Sequence, residues 1–123
     1  MIWLNGTPIE VVHPVNQPVQ RVGSLRPTGE CLLHEFLPRL SRARFTIVNC
    51  YSDARLCAGG STIVTSLALG KPVVATWTPM VRDLLRDGVD SLVVPAGDDR
   101  ALAEAIDRVD RDDALRARLA AGA

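Results

Sequence analysis

The chain carries no net charge, little histidine or lysine, few cysteines and no long apolar run, and each shortage excludes something. Its 14 basic and 14 acidic residues cancel over 123 positions. The positive field that nucleic acid or an anionic membrane demands is therefore missing, and no nucleic-acid partner is expected. The signs lean only slightly, with 10 acidic and 8 basic residues from Ser61 onward against 4 and 6 before it. They interleave along the C-terminal segment, as on solvated helices. Thirteen of the basic residues are arginine and only Lys71 is lysine, a habit of composition rather than a site.

Cysteine is scarce and odd in number: Cys31, Cys50 and Cys57, with no Cys-x-x-Cys spacing. That usage suits free thiols in a reducing compartment. His13 and His34 stand alone rather than as a ligand pair, so no metal site is expected. The opening residues MIWLNGTP lack the basic and apolar regions of a secretory leader. No apolar run approaches the ~20 residues that span a bilayer, so no transmembrane segment is expected and the expected location is cytoplasmic. Length allows one core and not two. With 47% hydrophobic and 23% charged residues the composition is that of a globular protein. No linker, repeat or low-complexity stretch interrupts it, and a single domain over 1–123 is expected, irregular over 1–30.

What is present is an alternation. Residues Ile9 to His13 (IEVVH) read as a strand, and Pro14, Pro18 and Pro27 with Gly23 and Gly29 break up the rest of the first thirty. Leu33, Phe36, Leu37 and Leu40 recur at helical spacing between Glu30 and Ala43. Pro38 fits that helix if it begins near His34 or Glu35, with the proline in its first turn. FTIV (45–48) reads as a buried strand. Ser61 or Thr62 then caps a helix to about Leu69, with Ile63, Val64, Leu67 and Ala68 inward and Gly70 ending it. VVAT (73–76) is the next strand, and Pro79 opens a helix from Met80 to Arg86. SLVV (91–94) is a strand followed by an Asp-capped helix whose Leu102, Ala105, Ile106 and Val109 share a face. A last helix, Asp112 to Ala121, turns Leu115 and Leu119 inward. Apolar strands alternating with helices imply an α/β fold: a Rossmann-like open parallel sheet with helices on both faces.

In such sheets ligands bind beyond the carboxyl ends of the strands. The turn from Asn49 to Ser61 lies on that edge and ends in CAGGST (57–62). Gly59 and Gly60 permit close backbone approach, and amides at a helix start attract an anion. Ser61 and Thr62 add hydroxyl donors. Taken alone, the turn reads first as a tight α/β connection and only second as an anion site, because glycines before helices commonly serve turn geometry. It is neither a Walker loop nor Gly-x-Gly-x-x-Gly. Trp77 and Thr78 follow VVAT and sit on the same edge, where an indole serves as a hydrophobic lid, belongs to the core or packs on a ligand. Lys71 falls at the opposite edge, Arg82 and Asp83 read as a solvated pair, and His34 as a helix cap. Cys57 lies at a helix start, where thiolate is favoured.

CAGGSTIVTSLALGKPVVAT (57–76) and RDGVDSLVVPAGDDRALAEAI (86–106), with LLHEFLPRLSRARFTIVN (32–49) upstream, resemble the donor-binding half of the GT-B glycosyltransferases of the group 1 family. The resemblance covers about Leu32 to Leu119 and rests on several punctuated motifs in fixed order. It implies a nucleotide-diphosphate sugar as donor substrate, its sugar passing to an acceptor hydroxyl, and no further cofactor. By resemblance the donor residues are Ala58, Gly59, Gly60, Ser61 and Thr62, then Thr65 and Trp77.

The sequence also departs from that pattern. The family carries a glutamate before the turn and another within the helix, and those positions here are Cys57 and Thr65. Thr65 accepts one hydrogen bond without charge, and Cys57 lacks a carboxylate's two oxygens. The basic pair that clamps the diphosphate and the N-terminal acceptor domain have no counterpart in this stretch. Catalysis by the chain alone is therefore not expected, and no catalytic residue is assigned. Two readings stay open: a donor-binding part completed by a partner chain or homo-oligomer, or an inactive degenerate domain serving as a nucleotide-binding or interaction module.

Overall fold

The computed structural model describes the backbone of residues 2–3, 9–11, 26–27, 33–49 and 60–123, and side chains over 37–49 and 60–123. The expectations for Cys57, Ala58 and Gly59, and for the side chain of His34, lie outside the described residues. The described elements are β1 (Ile2–Trp3), β2 (Ile9–Val11), β3 (Arg26–Pro27), α1 (Leu33–Arg42), β4 (Phe45–Val48), α2 (Gly60–Ala68), β5 (Val73–Thr76), α3 (Pro79–Leu84), β6 (Ser91–Val94), α4 (Asp99–Arg111) and α5 (Asp113–Gly122).

The strands form one sheet in the order β3-β2-β1-β4-β5-β6. One half is parallel, with Thr46 opposite Val73 and Val73 opposite Ser91. The other half is mixed: β1 runs antiparallel to both β4 and β2, and β3 is parallel to β2. The irregular N-terminal region therefore supplies strands that cover the β4 edge, and only three strands follow the expected parallel pattern.

Every residue of β4 and β5 is buried, because helices cover both faces. On one face Phe45, Ile47, Val74 and Val94 meet Leu102, Ala105 and Val109 of α4 and Leu115 and Leu119 of α5. On the other, Val48, Val73 and Ala75 meet Ile63 of α2, Val81 of α3 and Leu85, which caps α3. This is the doubly wound, Rossmann-like layering that the alternation predicts.

The helix boundaries have local causes. In α4 the residues 102, 105 and 109 fall on one face, and the Asp98 carboxylate accepts from Ala101 N at 2.9 Å to start it. Asp112 closes α4 through its own N–H to Arg108 O and opens α5 by accepting from Leu115 N. Arg44 then ties the end of α4 to the start of β4, donating to the Asp110 carboxylate at 2.9 Å and its carbonyl at 3.0 Å. Helix α2 ends as expected: Gly70 takes φ +68°, with Gly70 N bonded to Leu67 O and Lys71 N to Ser66 O. That paired closure needs a left-handed residue, which glycine accepts without a Cβ clash.

Three expectations are corrected. Helix α1 begins at Leu33, so Pro38 lies in its interior rather than its first turn. The proline is exposed, and the helix continues through it despite the backbone bond it forfeits and the crowding of its ring against the preceding turn. Helix α2 begins at Gly60, so Ser61 and Thr62 belong to its first turn and neither is the cap. Its inner side is Ile63 and Ser66, with Leu67 half-buried, while Val64 is 53% exposed and Ala68 is exposed too. Residue 66 is three positions after Ile63, which brings it back to the same face.

Candidate functional site

Two long helices start at the carboxyl edge of the parallel strands, α2 after β4 and α4 after β6. Each helix start presents N–H groups without intrahelical partners and the positive end of the helix dipole. At α4 those are met from within by Asp98 and Asp99. Helix α5, at the opposite edge, is likewise opened by Asp112 and Asp113. The first turn of α2 holds no acidic residue. It reads Gly60-Ser61-Thr62, small and uncharged, so its positive field is not cancelled by side chains of its own turn.

Gly60 is half-buried beside α3, and a Cβ there would stand 3.0 Å from Met80 Sδ. The glycine thus lets the starts of α2 and α3 approach. Helix α3 is itself anchored by Thr78, a buried cap whose hydroxyl accepts from Val81 N at 3.1 Å. Thr62 and Thr65 are half-buried and lie one turn apart on α2, on the same side of the helix. Ser61 is exposed. The structure therefore joins Gly60, Ser61, Thr62 and Thr65 on a single helix whose start faces the sheet edge.

Trp77 is placed differently. Its N–H donates to Val94 O at 2.7 Å, extending the β5–β6 ladder, and its side chain is 46% exposed. The indole walls a cleft of about 530 Å³ formed with Arg82, Leu85, Val93 and Pro95, between α3 and β6. No residue of α2 lines that cleft, so the edge that sequence assigns to both groups holds them at two separate places. Arg82 pairs with Asp83 at 3.0 Å, both exposed, as expected. Lys71 lines a hollow with Arg44 and Asp113 at the other edge of the sheet.

The sequence reading missed one polar feature. Thr46 and Ser66 are fully buried between β4 and α2, with Ser66 Oγ 2.9 Å from Thr46 Oγ1 and 2.6 Å from the Thr62 carbonyl. The spacing from Ile63 was the available signal, since it turns residue 66 inward.

Parallel strands with helices packed on both faces define a domain of the Rossmann-like class. The chain belongs to the family described as Glycosyl transferases group 1, whose profile matches residues 33–123. It is 48% identical over 65 residues to a phosphatidyl-myo-inositol mannosyltransferase of Mycobacterium leprae (strain TN), a stretch covering 52% of this chain and 17% of that protein. It is 41% identical over 61 residues to the lipopolysaccharide core biosynthesis glycosyltransferase LpsE of Rhizobium meliloti (strain 1021), covering 50% of this chain and 18% of that one. The matched stretches thus span under a fifth of either relative. Among the described residues no helix is long and apolar enough to cross a membrane.

Proposed function

We propose that this chain is the donor-side part of a glycosyltransferase, holding a nucleotide-diphosphate sugar with its diphosphate at the start of α2. The observation that carries the reading is the acid-free first turn of α2, set against the acid-filled starts of α4 and α5. Backbone N–H groups at Gly60, Ser61 and Thr62, continuing the turn through Ala58 and Gly59, meet the phosphate oxygens. When the sugar leaves, negative charge grows on the diphosphate, and fixed donors in that position stabilise it as it forms. Thr65 offers the ribose an uncharged acceptor.

Family membership supports the reaction class. The acceptor site and the basic clamp come from another polypeptide segment or a partner chain, and the chain alone binds donor without turning it over. The test is a titration of the full chain with UDP, GDP and ADP, followed by backbone amide shifts. Shifts centred on Gly60, Ser61 and Thr62 for one nucleotide are expected. No shift at millimolar ligand overturns the donor reading.

A further inference from the structure

Donor binding at α2 depends on where its first turn stands, and a buried polar contact sets that position. Thr46 lies on β4, the strand that enters the glycine-rich turn, and Ser66 lies on α2, the helix that leaves it. Both are fully buried. Ser66 Oγ is 2.6 Å from the Thr62 carbonyl oxygen and 2.9 Å from Thr46 Oγ1. A serine hydroxyl has one proton and a carbonyl has none. The Ser66 proton therefore goes to Thr62, and Thr46 donates its own to Ser66 Oγ. The result is a directed relay from the sheet, through the helix interior, to the first turn.

The relay is poorly explained as packing. A serine bonded to the carbonyl four residues back does not strengthen a helix. Two buried hydroxyls gain little over apolar groups of the same shape. What they add is direction. Ile63 and Leu67 hold α2 by apolar contact, which is non-directional and leaves the helix free to rotate or slide slightly. The hydroxyl pair fixes one rotation and one height, and it ends on Thr62, inside the turn that faces the ligand edge. Met80 bounds the same turn from the α3 side at Gly60.

We infer that Thr46 and Ser66 are positioning residues for the donor site, tying the first turn of α2 to β4 so that its amides stand at the diphosphate. The inference rests on the donor reading above. Its test compares the full chain with Thr46→Val, Ser66→Ala and the double variant, which removes both polar partners and so leaves no buried hydroxyl unpaired. Two readouts are taken: nucleotide affinity from amide shifts, and hydrogen exchange of the ligand-free chain.

Affinity is expected to fall about 5-fold in each single variant and by a similar factor in the double, because one relay is cut twice. Exchange at Val64, Thr65 and Ser66, whose amides bond back to the first turn, is expected to quicken ~10-fold while α4 amides stay unchanged. Unchanged exchange and affinity would overturn the inference while leaving donor binding intact. A uniform rise in exchange across α2 and α4 with a lowered Tm would also overturn it, since the pair would then serve stability alone. If the unmodified chain binds none of the nucleotides, the donor reading fails, and the local exchange by itself decides whether the relay fixes the turn.

Discussion

The starts of α2 and α4 stand on the same edge of the same sheet, yet they are built in opposite ways. Helix α4 meets its own needs: Asp98 accepts from Ala101 N at 2.9 Å and Asp99 sits in the positive field behind it. It rests on Leu102, Ala105 and Val109, all buried and apolar. Helix α2 opens on Gly60, Ser61 and Thr62 with no acid in its first turn, and its buried face carries Ser66 beside Ile63. Each acid near a helix start contributes about 0.3–1 kcal/mol. Helix α2 forgoes that stabilisation, and under the proposed function its field is left to the diphosphate. On that proposal the contrast separates a helix that holds the fold from one that holds a ligand.

The comparison can be attacked from either helix. Ile63 is fully buried and is the largest apolar side chain that α2 buries. Ile63→Ala is expected to cost about 2–5 kcal/mol, read from urea unfolding, because a buried cavity replaces the side chain. A cost under about 1 kcal/mol would mean that α2 is held by something other than the sheet. Thr65→Glu places a carboxylate where the family resemblance calls for one. It should raise affinity for the nucleotide that binds by about tenfold, near 1.4 kcal/mol, through a charge-assisted hydrogen bond to the ribose. Weaker binding would place the ribose elsewhere. Asp98→Ala should cost about 1 kcal/mol in stability by removing the α4 cap. Nucleotide affinity should not follow, and if it did, the two starts would not be independent.

Much of this contrast was legible in the sequence, for physical reasons that differ by element. The strands 45–48, 73–76 and 91–94 were readable because both faces are covered, which leaves short apolar runs between turn residues. Gly70, Pro79 and Asp98 mark helix ends through chemistry that works locally. Pro38 misleads because a proline inside a helix is costly without by itself ending it, and neighbouring turns carry the helix through. Ser66 was overlooked because a polar residue on an inner face gains meaning only from its partner, and Thr46 comes from a distant strand. Trp77 was grouped with the α2 turn because both follow strands at one edge. Which side of α3 each falls on depends on packing, and no local pattern encodes that.

The most direct test of the central claim is Ser61→Asp, measured for stability and for nucleotide affinity in the same preparation. An aspartate in the first turn of α2 complements the helix dipole, so unfolding free energy should rise by about 0.3–1 kcal/mol. The same charge repels a diphosphate, so affinity should fall at least tenfold, or about 1.4 kcal/mol. Stability and binding moving in opposite directions is the predicted result. Retained affinity in the aspartate variant would contradict the account, because the start of α2 would then not be where the diphosphate is held.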